Sequence, residues 1–172
     1  YPEGVGGHWN DGRHDISATA RQNVDDIAFL RAIAGAYTQN IRRIFAAGMS
    51  NGGMMAQRIA CEMPDVVAGV VSVAANMPAE LAPQCTPQAP VAVMFINGVQ
   101  DPIVPYAGGE IKILRNSRGT VLSTEASLAF WQKQGGCTSL PDRQFTANSS
   151  RRDYRCERGK LRLLSVSDGG HA

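Results

Sequence analysis

The stretch Gly48-Met49-Ser50-Asn51-Gly52-Gly53 limits what this chain can fold into more than any other, because a serine hemmed in by glycines suits few backbones. Upstream, Ile41 to Ala47 reads as a short buried strand, and downstream Met54 to Met63 reads as a helix stopped by Pro64. A Gly-x-Ser-x-Gly turn between a strand and a helix predicts a nucleophile elbow. The bend is so tight that side chains at the flanking positions should collide with the neighbouring strand and helix, hence glycine at both ends. Ser50 is then expected in a strained backbone conformation with its oxygen projecting into a cleft. The following helix adds its N-terminal dipole and amides to the same spot, and the Asn51 N–H is placed to donate to a developing oxyanion. The alternative is a glycine-rich helix start that Ser50 merely caps.

The rest of the chain supports an α/β arrangement. From Asn23 to Tyr37, apolar residues recur at helical spacing (Val24, Ile27, Leu30, Ile33, Tyr37), which predicts an amphipathic helix. Ala68 to Ala75 and Val91 to Ile96 are β-branched and nearly uncharged, as befits parallel strands covered on both faces. Between them, Pro78 to Pro90 reads as a surface loop. A third helix is expected from Thr124 to Gln134, opened by Ser123 and closed by Gly135-Gly136, with Phe130 and Trp131 in the core. Arg152 to Cys156 and Leu161 to Val166 flank Glu157-Arg158-Gly159-Lys160 and predict a hairpin.

A serine hydroxyl is a poor nucleophile at neutral pH, so the elbow needs a histidine base and an acid to orient it, both downstream in chain order. Asp101 follows the strand Val91 to Ile96 in a loop stiffened by Pro102 and Pro105, at the strand end where such sheets place functional groups. Capping a turn before proline is its simpler role. His171 follows the last expected strand in Asp168-Gly169-Gly170-His171. His8 and His14 precede the nucleophile and lie in a polar, glycine-rich segment, and Asp168 is too near His171 to orient it easily from behind. Met49, Met54 and Met55 read as packing residues, with Met49 able to touch the cleft. Such a constellation needs no metal and no cofactor.

The 172 residues allow one domain with a sizeable core, and an apolar share of 44% is that of an ordinary globular chain. Seventeen basic residues against 15 acidic ones give a net charge of +2, which implies neither nucleic acid nor a membrane as partner. Arg151, Arg152, Arg155 and Arg158 lack interleaved aromatics beyond Tyr154 and read as a solvated face. No apolar run approaches the roughly 20 residues that span a bilayer, and Tyr1-Pro2-Glu3-Gly4 does not have the character of a signal peptide. Cys61, Cys85, Cys137 and Cys156 lack the close spacing of a zinc site. Pairing Cys61 with Cys85 and Cys137 with Cys156 would pin two local loops and place the protein outside the reducing cytosol. Four free thiols in a cytosolic protein are the alternative. Nothing fixes the oligomeric state.

Several stretches resemble the esterase family that includes polyhydroxybutyrate depolymerases and feruloyl and acetylxylan esterases. They are Tyr1-Pro2-Glu3-Gly4, Trp9-Asn10-Asp11-Gly12, Val24 to Leu30, Gly48 to Met54, Asn97-Gly98 with Asp101 to Tyr106, and Gly169-Gly170-His171-Ala172, which together span nearly the whole chain. The resemblance implies a mostly parallel α/β-hydrolase sheet with helices on both faces, a Ser50, Asp101, His171 triad, secretion, and ester substrates from plant cell walls or polyesters. Such proteins usually begin with further strands and a His-Gly loop that supplies a second oxyanion donor, and continue past the histidine with a tryptophan. Against that pattern the chain is expected to be a catalytic domain cut short at both ends, with Tyr1 to Gly4 the end of a strand deep in the sheet. A serine peptidase of the same fold, or a fragment that folds without turning over, are the competing expectations.

Overall fold

The computed structural model describes residues 1–14, 22–37, 43–114 and 116–171. Helix α1 (Asp26–Tyr37) leads to strand β1 (Ile44–Met49), helix α2 (Asn51–Glu62), β2 (Val67–Val73) and β3 (Ala92–Gly98). A pair of strands, β4 (Gly109–Ile113) and β5 (Asn116–Val121), precedes helix α3 (Thr124–Gly135). The chain continues through β6 (Cys137–Ser139), β7 (Arg143–Thr146), β8 (Ser149–Cys156) and β9 (Lys160–Val166). Apart from Tyr1 to Gly4, each expected helix and strand has a counterpart within a few residues, and Ile41 and Arg42 lie outside the described residues.

Seven strands form one sheet in which β1, β2, β3 and β9 lie side by side and parallel. Strand β8 runs antiparallel beside β9, and β6 and β7 pair with β8. The sheet is thus mostly parallel and the fold is α/β. The expected hairpin is present as β8 and β9.

The core explains why the helices sit where they do. Val70, Val93, Phe95, Leu161 and Leu163 point to one face and meet Met55 and Ile59 of α2 and Leu128 and Trp131 of α3. The buried Gln57 ties these layers together, its Nε2 donating to Ser72 Oγ at 3.1 Å and its Oε1 accepting from Trp131 Nε1 at 3.3 Å. Ile27 and Leu30 bring α1 against the same cluster. Among the described residues no helix packs on the opposite face, where helices were also expected. There Val71, Met94 and Leu164 are half-buried, and Phe45 and Met49 are exposed. β-branched runs signal a strand well but do not say which of its faces is covered.

Helix α3 has the ends read from its sequence: Ser123 Oγ accepts from the Ala126 N–H at 3.0 Å, and Gly136 turns left-handed at φ 60°. Cys61 bonds to Cys85 and Cys137 to Cys156, as expected. The segment Pro78 to Pro90 is less superficial than expected, since Leu81 and Cys85 are buried within the core. Tyr1 to Gly4 forms no strand but an exposed lead into a single 3-10 turn at Val5–Gly7. Its four residues carry too little apolar pattern to distinguish strand from loop.

Candidate active site

Strand β1 ends at Met49 and helix α2 starts at Asn51, so Ser50 alone makes the bend. It does so at φ 54° and ψ −121°, a conformation costly to any residue with a Cβ. A Cβ on Gly48 would lie 2.2 Å from the Gly52 carbonyl oxygen, so the glycine before Ser50 is obligatory. At Gly52, by contrast, a Cβ would meet nothing within 4 Å, whereas one on Gly53 would strike Ala75 at 2.7 Å. The second glycine that packing demands is therefore Gly53, not Gly52. The Ser50 side chain makes no capping hydrogen bond, which removes the alternative of a mere helix cap.

The Ser50 backbone is anchored by its N–H to Val73 O at 2.9 Å, fixing the elbow against β2. Asp101 and His171 are brought to the same sheet end by the loops after β3 and β9. These loops are stitched together, with Val99 N–H donating to Val166 O at 2.9 Å and Gln100 N–H to Gly169 O at 3.0 Å. The approach at Gly98 is so close that a Cβ there would lie 2.3 Å from Gly169 O.

As a result His171 Nδ1 lies 2.8 Å from Asp101 Oδ2 and His171 Nε2 lies 3.0 Å from Ser50 Oγ. A buried carboxylate only accepts, so Nδ1 carries the ring proton and Nε2 is left to accept from the serine hydroxyl. Asp101 also caps its own turn, Oδ1 accepting from the Ile103 and Val104 amides at 2.8 and 2.9 Å. Turn cap and histidine partner, offered as alternatives by the sequence, are one arrangement: the cap aims the second oxygen at the imidazole.

The competing residues are elsewhere engaged. Asp168 is exposed and accepts from Asn148 Nδ2 at 2.8 Å. The exposed His14 donates its backbone N–H to Glu80. His8 lines the cavity beside Ser50, yet its Nδ1 faces Gly6 O at 3.1 Å. Met54 is buried and borders that cavity, Met55 is in the core, and Met49 points to the exposed face.

Asn51 is the first residue of α2, and its amide has no carbonyl one turn earlier to donate to. The cavity beside it measures about 150 Å³ and is walled by Met54, Ile103, Val104 and Ile111, with Arg13 and Arg118 among its polar members. Larger hollows lie along the β1 edge and on the open sheet face, but neither is lined by Ser50, Asp101 or His171. Sequence reasoning missed a buried polar cluster behind Asp101. Asn97 Nδ2 donates to Asn76 Oδ1 at 2.9 Å and to Thr124 Oγ1 at 3.1 Å, and Asn76 Nδ2 donates to Pro105 O at 3.0 Å. This cluster braces the end of the Asp101 loop against α3. Asparagines at strand ends were its only trace. Among the described residues no group of His, Cys, Asp and Glu could hold a metal ion.

No family model matches the chain. Two curated proteins that it resembles carry esterase names. Feruloyl esterase B of Piromyces equi is 29% identical over 157 residues, which are 87% of this chain and 29% of that protein. The protein named "Putative esterase NocK", from Nocardia uniformis subsp. tsuyamanensis, is 37% identical over 112 residues, 63% of this chain and 32% of its own. The chain thus spans about a third or less of the length of these relatives. Among solved structures, that of a thermostable esterase aligns with 87% of this chain and 29% of its own at a TM-score of 0.49 and 14% identity.

Proposed function

We propose that this chain is the hydrolytic part of a serine esterase, with Ser50 as nucleophile, His171 as base and acid, and Asp101 as the partner that orients the imidazole. The observation that carries this reading is the unbroken chain of contacts from Ser50 Oγ to His171 Nε2 at 3.0 Å and from His171 Nδ1 to Asp101 Oδ2 at 2.8 Å, at the mouth of a cavity. The esterase names of the relatives support the choice of ester over peptide.

In the first half of the reaction Ser50 Oγ bonds to the ester carbonyl carbon and its proton passes to His171 Nε2. The negative charge on the carbonyl oxygen is met by the Asn51 N–H at the start of α2, and the imidazolium by Asp101. The carbon–alkoxy bond then breaks as His171 returns the proton to the leaving alcohol. In the second half, water gives a proton to His171 as its oxygen bonds to the acyl carbon, and the bond to Ser50 Oγ then breaks as His171 returns that proton to the serine and the acid departs. Every proton is accounted for without a metal or cofactor.

The substrate reading is a carboxylic ester with a compact acyl group, from feruloyl or acetyl esters of plant polysaccharide or from hydroxyalkanoate polyesters. A cavity of about 150 Å³, with Met54, Ile103, Val104 and Ile111 beside Arg13 and Arg118, has room for a group about the size of benzene. Among these, the name feruloyl esterase B of one relative favours an aromatic acid. Two disulfides suit a secreted or periplasmic protein.

The test is hydrolysis of nitrophenyl acetate, methyl ferulate and hydroxybutyrate oligomers, beside a peptide substrate and a fluorophosphonate label. Ester turnover and labelling that both vanish in Ser50→Ala are expected. Peptide cleavage without ester cleavage would reject the reading. Inertness of this chain, with activity in a longer form of the protein, would leave it a folded fragment that cannot turn over.

A further inference from the structure

The residue after the nucleophile is held by more than its helix. Asn51 Oδ1 accepts from the Trp9 N–H at 2.7 Å, and Nδ2 donates to Trp9 O at 3.1 Å and to Asp11 Oδ2 at 2.6 Å. The segment that grips it is itself clamped to two helices. Asn10 N–H donates to Asp26 Oδ2 at 2.7 Å in α1, and Arg58 of α2 donates to Asn10 O at 2.6 Å.

Asp11 is fully buried and its ion partner Arg13 nearly so, with Arg13 Nε reaching the two carboxylate oxygens at 3.0 and 3.1 Å. The far side of the Arg13 guanidinium donates to the carbonyl of Arg118 in β5, whose side chain also borders the cavity beside Ser50. A buried ion pair seldom repays its desolvation as stability alone, so its placement is better explained by what it positions. Here it ends on the side chain of the residue whose backbone N–H is aimed at the reacting oxygen.

We propose that Asp11, held by Arg13, is a positioning residue for the proposed hydrolysis, acting through the Asn51 side chain to fix the Asn51 amide at the developing oxyanion. The role rests on the esterase reading of Ser50. Fixing the side chain at three points fixes the plane of the peptide that carries the amide. A donor displaced by a fraction of an ångström stabilises the tetrahedral state less while leaving substrate binding nearly untouched.

The experiment compares Asn51→Ala, Asp11→Ala and Asp11→Asn with the wild-type chain, by steady-state kinetics on a nitrophenyl ester and by affinity for an alkylboronic acid, which forms a tetrahedral adduct on Ser50. Asn51→Ala keeps the backbone donor and removes only the grip, so it decides the matter even if Asp11→Ala fails to fold. A fall in kcat of roughly tenfold to a hundredfold is expected, with KM within about twofold and boronate affinity falling in step with kcat/KM. The carboxamide of Asp11→Asn still accepts from Asn51 and should lose less than Asp11→Ala. The Asp11→Ala/Asn51→Ala double variant should lose no more than the worse single one, because both act along one path. Unchanged kcat and boronate affinity in a folded Asn51→Ala, additive losses, or a rise in KM alone would overturn the role. A wild-type chain that neither hydrolyses esters nor binds the boronate through Ser50 would overturn the esterase reading and this role together, whereas an active wild type with indifferent variants overturns only this role.

Discussion

At φ 54° and ψ −121°, Ser50 holds a backbone conformation that glycine adopts at little cost and other residues do not. Stability has been given up there to present one hydroxyl. Ser50→Gly should therefore be more stable than Ser50→Ala by about 1 kcal/mol in denaturant unfolding, although both should lose turnover by at least roughly a thousandfold. Equal stabilities of the two variants would mean that the elbow carries no strain. Asp101→Asn probes the next position. Its carboxamide oxygen can still cap the Ile103 and Val104 amides, leaving an NH2 group to face His171 Nδ1. The imidazole must then accept on Nδ1 and carry its proton on Nε2, where it can no longer take one from serine. A loss in kcat of roughly a thousandfold to ten-thousandfold is expected with little change in Tm. The sequence made Ser50 and its neighbours legible because the elbow is local and steric necessity leaves glycines behind. It did not reveal the grip on Asn51, because Trp9 and Asp11 lie 42 and 40 residues away with no periodic trace.

At the level of elements, what the sequence reveals depends on how much of an element is buried. Helix α3 and strands β2 and β3 carry period and caps strong enough to be read directly. The β4–β5 pair escaped, because its strands bury only Ile111 and Val121 and otherwise read as a polar loop. Strands β6 and β7 escaped for the same reason, being short and mostly exposed. Yet β4 and β5 supply a wall of the cavity beside Ser50 through Ile111, Ile113 and Arg118. The loops after β3 and β9 depend on each other more directly, through the close approach at Gly98. A methyl group there must push Gly169 away, and Gly169 precedes His171 by two residues. Gly98→Ala should thus lower kcat by roughly a hundredfold, the penalty of an ångström-scale misplacement, and cost about 1–3 kcal/mol in unfolding. Activity retained in the face of that stability loss would show that the β9 loop yields without moving the imidazole.

For the molecule as a whole, the sequence predicted the α/β class but not that the described helices would share one face of the sheet, since hydrophobic runs record burial without recording what covers them. Of the basic residues near the C-terminus that were read as a solvated face, Arg155 and Arg158 are exposed, whereas Arg152 is half-buried and ion-paired. Arg152 of β8 bonds to Asp142, between β6 and β7, through Nε at 2.6 Å, and to Glu125 of α3 at 2.7 Å, joining three parts of the fold across the surface. The hydrogen bonds from Arg152 hold the Asp142 carboxyl below its usual value of 3.8, against a smaller opposing push from burial. A carboxylate with a lower pKa folded than unfolded adds stability that is complete well above pH 3.8 and disappears as pH falls through the folded value. Asp65 beside Arg31 acts in the same direction. The wild-type Tm should accordingly decline from about pH 5 downwards. Asp142→Asn should unfold at a lower temperature than wild type at neutral pH and converge with it once pH has fallen through the folded value of Asp142, where both side chains are uncharged. Thermal unfolding across that range decides the point. Parallel curves with a constant offset would mean that Asp142 contributes through the shape of its turn and not through its charge.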